Sequence, residues 1–139
     1  MMNKFHKHNI KFTVNEKCVI NSSGRDGIME FIEITRDENI FELLIFDEVS
    51  KGSKLQDNVD LVMNSLFQNL SIEDSTKKEI TFLGQSCIQI NLNCLAQGVK
   101  RHFETRMILH KNKVYVIQVC SVDVVYTGFN EMIQTIKLV

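Results

Sequence analysis

Four cysteines are the residues of this chain best suited to covalent chemistry, because a thiolate is both a strong nucleophile and a metal ligand. They stand at positions Cys18, Cys87, Cys94 and Cys120. No pair has the C-x-x-C spacing of redox and zinc sites, and Cys87 and Cys94 should point to opposite faces of one predicted strand. We therefore expect reduced thiols packed as small apolar residues, which suits a cytosolic protein.

The histidines include one close pair, His6 and His8. An i, i+2 pair on a strand shares a face and could hold a metal ion, but we favour a flexible, solvent-exposed tail over residues 1–8. His102 and His110 fall on the same face of a predicted strand about 27 Å apart, too far to share one ion. The sequence therefore predicts no metal site and no cofactor.

Carboxylate pairs are the remaining candidates for catalysis. Glu30 and Glu33, and also Asp47 and Glu48, are close in sequence, but no histidine or nucleophile is tied to them by spacing. Residues 24–27 (GRDG) precede a predicted strand rather than a helix, so they indicate a turn and not a phosphate-binding loop. We expect a protein that is not an enzyme.

Composition limits the class of protein further. The chain has 139 residues, of which 44% are hydrophobic and 24% charged, as in an ordinary globular domain. The net charge is −1 and the lysines and arginines are scattered along the sequence, so nucleic acid is not an expected partner. There is no apolar signal-peptide core behind the first residues and no run long enough to span a bilayer. We expect one cytoplasmic domain over residues 1–139.

The first third of the chain predicts strands joined by polar turns. A short strand covers residues 9–14, another begins at Cys18, and an exposed loop spans 21–27. Residues 28–35 and 40–47 predict a hairpin. Both faces of 40–47 are apolar, which is typical of a central strand with something packed on each side.

A helix is predicted to start at the capping box Ser53–Gln56 (SKLQ), because the serine hydroxyl and the glutamine side chain can satisfy free backbone amides. Apolar residues then recur at three- and four-residue spacing along one stripe. They are Leu55, Val59, Val62, Leu66 and Leu70. Leu61 and Phe67 lie off this stripe, and both core packing and a partner-binding ridge would explain them.

The remainder predicts antiparallel strands and a closing helix. After a polar connection over 71–77, residues 78–122 contain three strands, with apolar and polar side chains in alternation over much of their length. A polar turn at His110–Lys113 joins the last two. A final amphipathic helix is expected from about Thr127 to Lys137.

One predicted strand face carries mixed charge, in alternation with apolar residues on the other face. It consists of Lys100, His102, Glu104 and Arg106. A docking surface for another protein and a simply solvated face are the two interpretations. Together with Leu61 and Phe67, these four residues are the candidate partner-binding residues.

The order of elements and three motifs resemble the PsbP-like superfamily, which includes the DcrB-like proteins and the yeast Ran-binding import factor. Phe82–Cys87 (FLGQSC) is similar to the family's glycine-containing entry to a long strand, and Lys113–Ile117 (KVYVI) to its turn into a tyrosine-bearing strand. Phe129–Ile136 is similar to the closing helix. Asn15–Cys18 stands where members commonly carry a proline and a tryptophan, and Asn112 where they carry a turn glycine.

This resemblance implies an α+β fold, a PsbP-like α/β/α sandwich with an antiparallel sheet of about five to seven strands flanked by two or three helices. It also implies protein binding without enzymatic activity, as in cytosolic DcrB-like chaperones that cradle apolar segments of secreted effectors. We expect a chaperone or adaptor whose partner is another protein, with a second copy of this chain as one candidate. Two alternatives stay open: a small-molecule or lipid-binding domain, and a thiol enzyme using Cys87 or Cys120.

Overall fold

Strands dominate the computed structural model, which describes residues 3–7, 9–27, 29–47, 49, 52–122 and 126–139. These residues form ten strands and two helices. In chain order they are β1 (Asn3–Lys7), β2 (Ile10–Val14), β3 (Val19–Asp26), β4 (Met29–Arg36), β5 (Asn39–Phe46), α1 (Leu55–Phe67), β6 (Ser71–Phe82), β7 (Gln85–Ala96), β8 (Val99–His110), β9 (Lys113–Ser121), α2 (Asn130–Gln134) and β10 (Lys137–Leu138). Three residues discussed above, His8, Ile28 and Glu48, lie outside the described ranges.

A seven-stranded sheet with the order β3-β4-β5-β9-β8-β7-β6 is the frame of the fold, and every neighbouring pair is antiparallel. The predicted antiparallel α+β fold is therefore confirmed. The predicted turn before β9 is tight, with positive φ angles at Lys111 (49°) and Asn112 (61°). Hairpin turns of this kind need positive φ at both central residues, a conformation that asparagine tolerates.

The seven-stranded sheet is packed on both faces. Helix α1 covers part of one face, here called the α1 face, and its core includes Val59 and Val62 from the helix. A three-stranded sheet of order β1-β2-β10, together with α2, covers part of the other face, here called the small-sheet face. Its core includes Phe12 of β2 and Phe129 beside α2.

Strand β5 shows why the sequence predicts this layering. Phe41 and Leu43 belong to the core on the small-sheet face, whereas Leu44 and Phe46 belong to the core on the α1 face. A strand with apolar side chains on both faces must be covered on both. The prediction of a central strand is confirmed, since β5 lies between β4 and β9.

Helix α1 forms where the sequence predicts it, with a different cap. The backbone amide of Lys54 donates to Asp57 Oδ2 at 2.8 Å, so Asp57 does what was predicted for Gln56. Ser53 Oγ instead accepts a hydrogen bond from Asn58 Nδ2 at 3.1 Å. The N-cap is therefore Lys54, one residue after the predicted Ser53. Asp57 in the first turn also interacts well with the positive end of the helix dipole.

Two segments predicted as loops or connections are edge strands. Residues 21–27 were expected to be an exposed loop, but most of them belong to β3, and the predicted connection over 71–77 is the first half of β6. Most side chains of both strands are exposed. A strand without a buried face has no apolar alternation, so its sequence resembles that of a loop.

Both ends of the described chain also differ from prediction. Residues 3–7 were expected to be part of a flexible tail, but they form β1, where the rings of Phe5 and Phe12 pack with centroids 4.9 Å apart. The closing helix α2 has five residues only, and Lys137, expected in its last turn, pairs with β2 as part of β10. A strand at the chain end completes the small sheet in place of a longer helix.

Candidate docking surface

Polar side chains from three neighbouring strands form a regular array on the small-sheet face. Residues directly opposite one another in an antiparallel pair lie on the same face, and the register places nine polar residues in three rows. These nine residues, here called the polar grid, are Asp74, Thr76 and Lys78 of β6, Gln89, Asn91 and Asn93 of β7, and His102, Glu104 and Arg106 of β8. None of them belongs to either hydrophobic core.

The first row of the polar grid is a chain of hydrogen bonds. Asn93 Nδ2 donates to Asp74 Oδ1 at 2.8 Å, and Asn93 Oδ1 lies 2.9 Å from His102 Nδ1. Because the amide nitrogen is used toward the carboxylate, the amide oxygen must accept, so the proton of neutral His102 sits on Nδ1. The other ring nitrogen, Nε2, is then an acceptor.

The other two rows are joined by one ion pair and leave hydrogen-bonding groups unused. Arg106 Nη2 lies 3.1 Å from Glu104 Oε1, and the guanidinium stacks on Phe82 at 4.7 Å from the ring centroid. Among the described residues, Arg106 Nε and Asn91 Oδ1 are buried without a hydrogen-bond partner. Such groups are costly to leave unpaired.

A cleft of about 260 Å³ opens at the end of the polar grid. Lys100, Arg101 and His102 line it together with Glu73 and Asp74. The structure thus brings together the four predicted β8 residues, Lys100 at the cleft and the other three in the grid. Both signs of charge are present, as in surfaces that select a partner by electrostatic complementarity.

The two apolar candidates lie on the opposite side of the sheet. Leu61 is 57% exposed on the outer surface of α1, whereas Phe67 is 5% exposed. The Phe67 ring packs edge-on against Phe103, with centroids 5.2 Å apart. This corrects the assignment of Phe67 to partner binding, because the end of the helix turns this ring into the core.

Strand β6 ends the sheet beside the polar grid. Its first nine residues, Ser71–Glu79, are exposed, and it pairs with β7 on one side. An edge strand presents unpaired backbone donors and acceptors that can bind another strand. The sequence pattern did not reveal this edge, so the contribution of Asp74, Thr76 and Lys78 to the surface was missed.

Apart from the polar grid, a row of three polar side chains crosses the α1 face. Thr105 Oγ1 donates to Gln118 Oε1 at 2.8 Å, and Gln118 Nε2 donates to Glu42 Oε1 at 3.3 Å. Burial raises the pKa of the Glu42 carboxyl, the hydrogen bond from Gln118 opposes this rise, and the charge of Glu33 adds to it. Thr105 and Gln118 are buried, so this row belongs to the interior.

The cysteines are unpaired thiols. Cys87 and Cys94 lie in the cores on opposite faces, as predicted. Burial raises the pKa of Cys87 and of Cys120 to about 11, and it also raises the pKa of Cys94. Little thiolate exists at neutral pH under these conditions, which disfavours nucleophilic chemistry at Cys87 and Cys120.

Within the described ranges, no group of three or more histidine, cysteine, aspartate or glutamate side chains is placed to hold a metal ion. No helix of the described chain is both long enough and apolar enough to cross a bilayer.

Comparison with solved structures finds similar proteins. PA94 of Pseudomonas aeruginosa, a protein of unknown function, matches 86% of this chain and 82% of its own length, with 9% sequence identity and a TM-score of 0.52. LpqN of Mycobacterium tuberculosis, involved in cell envelope biogenesis, matches 97% of this chain and 84% of its own, with 14% identity and a TM-score of 0.44. No protein-family model and no curated protein matches this sequence. At such identities the likeness to PA94 shows a common fold alone.

Proposed function

We propose that this protein is a non-catalytic protein-binding module that acts as a chaperone or adaptor. The observation that carries the proposal is the polar grid, which lies beside the exposed edge strand β6. The partner contacts the grid with polar side chains, and an extended segment of it adds to the edge of β6.

The chemistry of the grid supports this proposal. Interfaces between proteins that also exist apart are about as polar as ordinary surface, so a polar sheet face suits a reversible complex. The exposed side chains of Asp74 and Lys78 can accept from and donate to a partner, and Thr76 can do both. Backbone pairing along β6 supplies affinity, and the mixed charges of the grid supply selectivity.

We also propose a family, a cellular location and a second candidate partner. We propose membership of the PsbP-like superfamily, with the DcrB-like chaperones as its most similar branch, on the order of the elements and the motifs quoted above. The unpaired thiols support a cytoplasmic location, because cytosolic thiols are kept reduced. A second copy of this chain remains a candidate partner through the edge of β6.

The test begins with capture of partners from the native source on the immobilised protein and their identification by mass. Binding of the purified partner is then measured by calorimetry for Glu104→Lys, which reverses a charge in the centre of the grid. Asp60→Lys makes the same charge change on the exposed outer side of α1 and serves as the matched control.

We expect Glu104→Lys to weaken binding by about tenfold or more, equivalent to about 1.4 kcal/mol, and Asp60→Lys to change it less than about twofold. Equal loss of affinity in both variants would show that the charge in the grid has no specific role and would overturn the proposal. Loss of affinity in Asp60→Lys and Leu61→Ala, with Glu104→Lys unaffected, would place the binding surface on α1 and would also overturn it.

A further inference from the structure

Positive charge that is scattered along the sequence is gathered on the outer surface of the small sheet. Lys4, His6, Lys11 and Lys137 line a cleft of about 490 Å³, and none of the residues that line it is acidic. These side chains point outward, because Phe12, which alternates with Lys11 along β2, is buried in the core. The surface therefore has one sign of charge in a chain whose net charge is −1.

The strand register sets the arrangement of the charges. His6 of β1 is directly opposite Lys11 of β2, and Lys11 is directly opposite Lys137 of β10. Three cationic or ionisable side chains thus form a row about 10 Å long across three strands. Lys4 stands on the same surface two residues from His6, opposite Thr13.

This arrangement is unfavourable in the free protein. Like charges directly opposite one another across a strand pair repel. In the described part of the chain, no ion pair joins Lys4, Lys11 or Lys137 to a carboxylate. A bound anion would relieve the repulsion, so the ligand that complements this surface is strongly anionic.

We propose that the cleft on the small sheet binds a small anion that carries two or more phosphate groups. The volume of the cleft falls in the range of small-molecule sites. Cations spread along a row can contact an extended anion at several points, whereas a single phosphate can reach only part of the row. Lysine ammonium groups bind phosphate oxygens as mobile point charges. This site is separate from the polar grid and does not depend on the function proposed for it.

Titration calorimetry of the full chain with inorganic tripolyphosphate, and in parallel with inorganic monophosphate, tests the proposal. The informative variant is Lys11→Gln, at the centre of the row, and Lys137→Gln is a second variant should the first fold poorly. Lys77→Gln is the matched control, because Lys77 is an exposed lysine of β6 in the other sheet. Melting curves establish that each variant is folded.

We expect saturable tripolyphosphate binding that weakens by about tenfold in Lys11→Gln or Lys137→Gln and by less than about twofold in Lys77→Gln. Monophosphate should bind at least about tenfold more weakly than tripolyphosphate. Absence of saturable binding, equal affinity for the two anions, or equal loss in the control variant overturns the proposal.

Two further ligands distinguish a site for small anions from a surface that binds any large polyanion. Vesicles of phosphatidylserine and phosphatidylcholine present a charged plane, and a short DNA duplex presents a regular phosphate backbone. If Lys11→Gln abolishes binding to either of these while tripolyphosphate does not bind, the surface recognises a membrane or a nucleic acid and the small-anion site is wrong.

Discussion

The two halves of the seven-stranded sheet are built differently. In β9, every residue from Val114 to Ser121 is buried, whereas in β6 every residue from Ser71 to Glu79 is exposed. Strands β5 and β9 contribute buried apolar residues to the cores on both faces of the sheet. Strands β6 to β8 also contribute to the cores, but on the small-sheet face they carry the nine residues of the polar grid, which belong to neither core. This part of the face is available to a partner.

This difference has an energetic consequence. Burial of apolar surface contributes about 25 cal/mol for each Å². In β5 and β9 this contribution comes from both faces, whereas the buried apolar residues of β7 and β8 lie mainly on the α1 face. Exposed polar side chains contribute little, since they exchange hydrogen bonds with water for hydrogen bonds with one another. Substitutions in the covered half should therefore change stability, and substitutions in the polar grid should change binding.

The largest effect is expected at Phe41 in the covered half. Its side chain is 0% exposed and packs against the rings of Phe12 and Phe129, with centroids 5.7 and 5.9 Å away. Phe41→Ala should lower the free energy of unfolding by about 3–5 kcal/mol in a denaturant melt. Thr76→Ala, at an exposed position of the grid, should change it by less than about 0.5 kcal/mol. Similar losses in the two variants would remove the distinction between the halves.

A smaller effect is expected at Cys120, which lies in the core on the α1 face. Cys120→Ser should cost about 1–3 kcal/mol, because a hydroxyl is harder to bury without a partner than a thiol. The native thiol should also react slowly with a disulfide reagent at neutral pH, since burial raises its pKa to about 11. Rapid reaction in the native state would mean that this half of the sheet is open, and a thiol enzyme would become the better hypothesis.

The smallest effect concerns Glu42 and appears as a pH dependence. Burial raises the pKa of its carboxyl above the unfolded value, so its contribution to stability is present below the unfolded pKa and is lost as pH rises through the folded pKa. Glu42→Gln keeps the hydrogen bond from Gln118 and has no charge to bury. The variant should therefore be more stable than the wild type at pH 7, with a difference that disappears in acid.

Melts of Glu42→Gln at several pH values would check this, with Glu38→Gln as the control because Glu38 is exposed in the turn between β4 and β5. A variant less stable than the wild type at pH 7 would show that the ionised carboxylate is the favoured form in the folded protein.

The elements whose apolar residues recur at regular spacing were predictable from the sequence. The apolar stripe of α1 and the two-sided apolar run of β5 each allow one buried arrangement, so periodicity was sufficient. The edge strands β3 and β6 were not predictable, because their side chains are exposed and leave no period. Strand β1 was missed for a related reason, since one aromatic residue, Phe5, anchors it to the core.

The candidate site was predictable in the same partial way. Alternation along β8 placed His102, Glu104 and Arg106 on one face, and the structure agrees. Their neighbours on β6 depend on pairing between strands, which no local pattern encodes. The cations Lys11 and Lys137 are even more distant in sequence, and they become neighbours because β10 returns to β2.

The central claim, that the polar grid and the edge of β6 receive a protein partner, is tested most directly by hydrogen–deuterium exchange. Amides of the free edge of β6 should exchange rapidly in the isolated protein, because no strand of the described ranges pairs with that edge. In the complex with the purified partner, we predict slower exchange in β6 and in the adjoining parts of β7 and β8, with β5 and β9 unchanged. Protection confined to α1 or to the small sheet, with β6 still exchanging rapidly, would contradict the claim.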